Sequence, residues 1–284
     1  MQKYIVIADD LTGSNATCSL FKKIGLRAAS ILKLQGGISY DVDVISYSTA
    51  SRGLDKEEAY KKVSEAIKIL KNKDVLVYNK RIDSTLRGNI GTEINAMLDN
   101  LEDDRIAVVV PAYPDSGRIV VNKTMLVNGV LLENSDAGKD PKTPIKTSCV
   151  ESLIQKDIKY SSTYFTLSDI EQPIEEIVKK IQEAIKKSRV LIFDAVNNED
   201  IIKISKAIIH SDINIITVDP GPFTLYYSKE LQKKNHLEKK ILMVIGSVTA
   251  TTKKQIEYIL QEEDIFLVKM KAESFFEKES CIKE

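Results

Sequence analysis

The sequence predicts an α/β fold, an open and mostly parallel sheet flanked by helices, with the start of a second α/β domain near the C-terminus. Three observations predict it. Short β-branched runs alternate with longer charged stretches, the longer stretches repeat apolar residues at helical spacing, and several runs end in polar turns that feed the next helix. YIVIA (4–8) opens as a strand, followed by a helix over 14–24 and further strands at 27–33 and 42–47. The stretch 55–71 is helical because Ala59, Val63, Ala66, Ile67 and Leu70 share one face, with lysines and glutamates on the other. Strands at 75–79 and 106–110 bracket a helix at 89–101. After a long interruption come strands at 162–167, 190–195 and 213–218, with helices at 172–187 and 199–211. A last unit has strands at 241–245 and 265–269 around a helix at 250–262.

Two segments break this rhythm. Residues 111–148 are rich in Pro, Gly, Asn and Asp, and an irregular stretch of that length is expected to serve function. Residues 229–240 are polar and read as a helix end plus linker. The expected domains are therefore 1–235 and 241–284, the second too short to bury a core of its own.

Of 284 residues, 43% are apolar and 29% charged, which excludes wholesale disorder. Forty-one basic residues balance 41 acidic ones, so no charge excess points to nucleic acid or a membrane, and any anion site is a local cluster. Cys18, Cys149 and Cys281 form neither a disulfide framework nor a metal-binding spacing. The apolar runs fall short of the roughly 18 residues a membrane span needs. MQKYIVIADD lacks the apolar core of a signal peptide. The expected compartment is the cytoplasm. His210 and His236 show no zinc spacing and are left out of the chemistry.

Chemistry is concentrated where strands end. IVIADDLTGSNATC (5–18) carries Asp9 and Asp10 into a helix, at the carboxyl end where open sheets place ligands. Side chains alternate along a strand, so one aspartate is expected to face the crevice and the other its supporting contacts. The plain alternative is a carboxylate that only caps a helix. YNKRIDSTLRGNIGTEI (78–94) supplies Lys80, Arg81 and Arg87 as cations, Asp83 as a carboxylate, and the hydroxyls of Ser84 and Thr85 beside a helix N-terminus. Arginine grips carboxylates bidentately and aspartate accepts from hydroxyls, so this group suits a small polyhydroxy acid. SYSTASRGLDKEEA (46–59) adds Ser51 and Arg52, while Asp55 either joins them or caps the helix. PAYPDSGRIVVN (111–122) carries Arg118, which either pairs structurally or touches substrate. Gly246 and Ser247 end the 241–245 run, with Thr251 or Thr252 placed to cap the next helix. Neither a lysine-bearing phosphate loop nor GxGxxG is present, which weakens a dehydrogenase reading that rests on fold pattern alone.

ADDLTGSN, KRIDSTLRGNIGTEI, PAYPDSGR, NGVLLENSDAGKDPKTPI (128–145) and GSVTATTKKQIE follow in that order over essentially the whole chain. In these motifs the sequence resembles the four-carbon acid sugar kinases, which phosphorylate the terminal hydroxyl of threonate, erythronate or 3-oxo-tetronate with ATP. The resemblance implies an N-terminal acid-sugar domain and a C-terminal nucleotide domain. It implies substrate contacts at Asp10, Ser51, Arg52, Lys80, Arg81, Ile82, Asp83, Ser84 and Arg87, and nucleotide contacts at Gly246 and Ser247. ATP and Mg²⁺ are the implied cofactors, with no metal ligands assigned on the protein. Family members continue beyond KESCIKE with a glycine-rich loop, so the nucleotide half is expected to be incomplete here. The chain is then expected to be truncated, one half of a split kinase whose remainder a separate chain supplies, or a degenerate copy. A homo-oligomer is a further expected partner, and the competing expectation is a non-catalytic acid-sugar binding subunit.

Electrostatics divides such a pocket. Two unit charges about 4 Å apart interact by about 4 kcal/mol at an effective dielectric of about 20, so an aspartate beside the substrate carboxylate repels it. Lys80, with Arg52 or Arg81, is expected at the carboxylate end. Asp9, Asp10 and Asp83 are expected along the hydroxyls, one of them as the base.

Overall fold

The structure is a computed structural model that describes residues 3–34, 41–101, 104–237, 243–262 and 267–268. Its chain divides into two compact units, Met1–Glu238 and Lys239–Glu284.

In the first unit the chain runs β1 (Tyr4–Ala8), α1 (Leu11–Lys22), β2 (Ala28–Ile31), β3 (Val44–Ser48), α2 (Lys56–Leu70), β4 (Val77–Arg81), α3 (Ile90–Leu101) and β5 (Ile106–Val109). An insertion follows, with β6 (Arg118–Val121), β7 (Thr124–Val127), β8 (Val130–Leu131) and α4 (Val150–Gln155). The unit ends with β9 (Ser162–Phe165), α5 (Leu167–Ile170), α6 (Ile174–Ile185), β10 (Val190–Phe193), α7 (Asn198–His210), β11 (Ile215–Asp219) and α8 (Pro222–Leu237).

Eight strands form one parallel sheet in the order β2-β3-β1-β4-β11-β5-β10-β9. Residues opposite one another in register share a face. Ser46 and Ser30 therefore look the same way, and Ser14 of α1 seats on both, with hydroxyl oxygens 2.7 Å apart in each case. Thr224 of α8 meets Asn79 and Thr217 on that same face. α2 and α3 cover the other face. Both faces are buried, which is why the strands read as near-continuous apolar runs.

From β1 the chain turns through α1 toward β2 and β3, and from β4 it turns through α3 toward β5 on the opposite side. The carboxyl ends of the adjacent strands β1 and β4 therefore flank a topological switch point.

The expected α/β class is observed, with three differences. β4 extends to Arg81, so Lys80 and Arg81 are strand residues and not loop residues. Residues 222–237 form α8 where only a helix end was expected. The stretch 111–148 contains an antiparallel sheet of β6, β7 and β8, closed by two-residue turns with positive φ at Asn122 and Lys123 and at Asn128 and Gly129. The pair Asn128 and Gly129 was the available hairpin signal.

In the second unit α9 (Ala250–Glu262) is the described helix. Thr249 caps it, its hydroxyl accepting from the Thr252 amide at 3.3 Å, so the cap precedes both threonines expected to supply it. Of the strands expected at 241–245 and 265–269, described residues 243–245 and 267–268 are not in strand, and the remainder lies outside the described residues.

Candidate acid-sugar site

Three strand exits meet at the switch point. β1 delivers Asp9 and Asp10, β3 delivers Ser51 and Arg52, and β4 delivers residues 81–87. The amides of Ser51 and Arg52 donate to Asp9 O, which ties the first two exits together. Ala50 and Leu86 hold left-handed backbone at φ 51° and 57°. Non-glycine residues rarely adopt that conformation, and it concentrates where geometry is over-determined.

Arg52 is the hub. Its Nε donates to Asp9 Oδ2 at 2.7 Å and its Nη2 to Asp9 Oδ1 at 3.0 Å, a bidentate pair. Its Nη1 lies 2.9 Å from Asp10 Oδ2 and its Nη2 3.6 Å from Asp83 Oδ1. Burial works against the guanidinium charge, yet Asp9, Asp83 and Asp10 together hold its pKa above the ordinary arginine range. Asp10 also caps α1, its Oδ1 accepting from the Gly13 amide at 2.7 Å. Gly13 is needed there, because a Cβ would sit 2.8 Å from Asp10 Oδ1 and 3.4 Å from Arg81 Cγ.

Asp83 is gripped from the other side. Arg87 Nε donates to Oδ2 at 2.6 Å and Nη2 to Oδ1 at 3.1 Å, while Thr85 Oγ1 donates to Oδ2 at 2.6 Å. Burial would raise this carboxyl, but Arg87, Arg52 and Thr85 outweigh it and hold the pKa below the usual range. Arg87 Nη1 reaches Asp140 Oδ2 at 2.9 Å.

Lys80 and Arg81 part company because side chains alternate along β4. Lys80 is fully buried toward α3, its Nζ 2.8 Å from Glu93 Oε2, 3.0 Å from Arg81 O and 3.3 Å from Ile7 O. Three acceptors take the three ammonium protons. The expectation that Lys80 meets the substrate carboxylate is corrected on that ground. Ser51 donates to Glu93 and likewise supports from within, and Ile82 is core at 1% exposure. Burial pushes the Glu93 carboxyl upward against the opposing pull of Lys80.

Arg81 faces the α1 side, in register with Ala8 and Asp219. It is 7% exposed, its Nη1 donates to Ile82 O, and its Nε has no hydrogen-bond partner. Among the described residues no carboxylate lies within ion-pair distance of it. Burial lowers its pKa, with Asp219, Asp9, Asp83 and Asp10 pulling the other way from longer range.

The structure thus gathers Asp9, Asp10, Arg52, Arg81, Asp83 and Arg87, with Ser84 half-buried on the same rim. Asp55 caps α2 and stays outside, and Arg118 bonds to Ser116 O within its own turn. Glu93, Asp140 and Asp219 were missed. Asp219 ends β11 and accepts from the amides of Gly221 at 2.7 Å and Thr224 at 3.1 Å, a strand-exit position like the others. Gly246 and Ser247 lie in the second unit, exposed in the turn before α9.

Among the described residues no group of three His, Cys, Asp or Glu side chains is disposed to hold a metal ion. The rim aspartates are committed to arginines, so Mg²⁺ held by this protein rim does not fit. Among the described residues no helix is long and apolar enough to cross a membrane.

A family profile described as a sugar-binding N-terminal domain matches residues 4–227. The chain belongs to this family. The chain is 39% identical over 269 residues to D-erythronate kinase of Heliobacterium modesticaldum, covering 91% of this chain and 60% of that protein. It is 30% identical over 260 residues to D-threonate kinase of Salmonella typhimurium, covering 91% and 61% respectively. The chain therefore spans about 60% of the length of the curated relatives it matches. A Haemophilus influenzae structure superposes with a TM-score of 0.70 at 25% identity, covering 90% of this chain and 65% of that one. A Bordetella bronchiseptica structure, a citrate-bound and domain-swapped dimer, superposes with a TM-score of 0.70 at 24% identity, covering 92% and 65%.

Proposed function

We propose that the first unit binds a four-carbon acid sugar, threonate, erythronate or 3-oxo-tetronate, and presents its terminal hydroxyl for phosphorylation by ATP. The observation that carries this reading is Arg81, a buried guanidinium with an unused Nε and no carboxylate within ion-pair distance among the described residues. A buried cation without a carboxylate beside it is costly, and an anion supplied by a ligand relieves it. Arg52 faces three aspartates and Arg87 two, so Arg81 has the most to gain from a substrate carboxylate.

The aspartates then take the hydroxyl end. Asp10 has the most exposed side chain of the three, at 28% against 3% for Asp9 and 9% for Asp83. It is assigned to accept the proton of the attacking hydroxyl, while Asp9 orients Arg52 and Asp83 orients Arg87. ATP, when bound, supplies the phosphoryl group; positioning and charge stabilisation carry most of such a transfer. Gly246 and Ser247, beside the N-terminus of α9, are assigned to its phosphates. Mg²⁺ carries no step in this reading.

The test is calorimetric titration of the chain with D-erythronate and D-threonate, with and without Mg²⁺ and ATP. Saturable binding of one acid sugar that Arg81→Met weakens at least about tenfold supports the assignment, and equal binding by the variant overturns it. In an assay of the phosphorylated product, Asp10→Asn removes turnover while leaving sugar binding largely intact.

A further inference from the structure

Residues 128–145 have so far been given no task. They belong to the insertion around β7 and β8; Leu132, Ala137 and Ile145 are buried, while Val130 and Leu131 are exposed. Ile145 N donates to Ala137 O at 3.1 Å, which closes the segment into a rigid strap. Gly138 is needed inside it, because a Cβ there would stand 1.9 Å from Glu133 O.

Asp140 sits at the turn of this strap, and both of its oxygens are in use. Oδ1 accepts from the amides of Lys142 at 2.9 Å and Thr143 at 2.8 Å. Oδ2 accepts from Arg87 Nη1 at 2.9 Å. These backbone donors, with Arg87, hold the Asp140 carboxyl far below the usual range. Its rotamer is set by its own turn.

The consequence falls on Arg87. Its Nε and one proton of Nη2 are taken by Asp83, and one proton of Nη1 by Asp140. Among the described residues, one N–H then remains without a partner on each Nη nitrogen. Contacts at all three nitrogens fix the guanidinium plane, so these two donors are aimed before any ligand arrives. Side-chain exposures of 28% for Arg87 and 18% for Asp140 place the pair on the open rim.

We propose that Asp140 is a positioning residue of the acid-sugar site, acting through Arg87. It holds the guanidinium so that its two remaining N–H groups meet the oxygens of the bound sugar acid. This role rests on the acid-sugar reading of the rim. Preorganised donors bind more tightly because their ordering cost is met in folding. An ion pair this open contributes little to stability by itself.

The experiment is a double-mutant cycle on the full chain, read by calorimetric titration with D-erythronate and D-threonate and by thermal unfolding. Asp140→Asn weakens binding of the preferred acid roughly tenfold, about the loss of one charge-assisted contact, with little change in Tm. Asp140→Glu keeps the carboxylate and recovers part of that affinity. In an Arg87→Lys background, Asp140→Asn has almost no further effect, because the guanidinium it aligned is gone. Effects that multiply in the double variant overturn the role. So does an Asp140→Asn variant with unchanged affinity, or one whose only change is a lowered Tm. Wild-type protein that binds neither acid, nor 3-oxo-tetronate titrated in the same way, overturns the acid-sugar reading itself, and with it this role. The two failures are thus distinguishable.

Discussion

Lys80 and Arg81 are consecutive in β4, yet their charged ends lie on opposite faces of the sheet. The Lys80 ammonium meets Glu93 of α3 at 2.8 Å, while the Arg81 guanidinium packs beside Gly13 of α1. The first pair is a closed internal contact, while the second side chain has, among the described residues, no carboxylate within ion-pair distance. That difference separates what each contributes to stability and to binding.

Arg81→Met is expected to weaken acid-sugar binding by about 10- to 100-fold, the worth of hydrogen bonds to a charged group. The same variant should be at least as stable as wild type, since it removes a desolvated cation with, among the described residues, no carboxylate in ion-pair range. Calorimetry and thermal unfolding on one preparation check both halves. A variant that loses affinity only because it unfolds at lower temperature contradicts the assignment.

Lys80→Met is expected to destabilise by about 3–5 kcal/mol, because it strands the Glu93 carboxylate at 1% exposure. Adding Glu93→Leu should recover most of that loss, the two residues being in direct contact. Urea denaturation of the two single variants and the double variant measures the coupling. Full additivity would mean that the pair does not act as a unit.

The depressed carboxyl of Asp83 predicts an acid-side stability change. An unfolded aspartate titrates near about 3.9, above the folded value, so the unfolded chain binds the proton first as pH falls. The stabilising contribution is therefore complete above about pH 5 and is lost as pH drops through the folded pKa. Asp83→Asn should differ from wild type by a constant amount at neutral pH and converge on it below about pH 4. A gap that widens on acidification would show the opposite sign.

Gly138→Ala should loosen the strap that carries Asp140, overpacking costing about 1–3 kcal/mol where the backbone cannot move. The amides of Lys142 and Thr143, which donate to Asp140, should then exchange with solvent faster than in wild type. Hydrogen exchange read by mass spectrometry over residues 136–145 measures this. Unchanged protection would mean that the turn absorbs the added methyl.

Much of the rim was legible because open sheets put ligand-facing residues just past strand ends, and the motifs around Asp9, Arg52 and Asp83 sit there. Lys80 was misjudged for a local reason. β4 runs two residues further than its apolar pattern suggests, and that extension decides which neighbour turns inward. Glu93 was hidden inside the helical period of α3, where a buried glutamate looks like any other. Asp140 lay in a stretch with no period, so only its meeting with Arg87 marks it.

By itself the sequence determined the alternation of strand and helix, the burial of the sheet on both faces, and the polar exits at the strand ends. Those properties depend on short-range periodicity and turn chemistry, which neighbours along the chain dictate. The tertiary structure alone decided that β1 and β4 lie side by side, that Glu93 takes Lys80 out of play, and that Asp140 reaches Arg87. Each depends on crossovers that bring distant segments within hydrogen-bonding range, and no local spacing records which carboxylate will neutralise which cation.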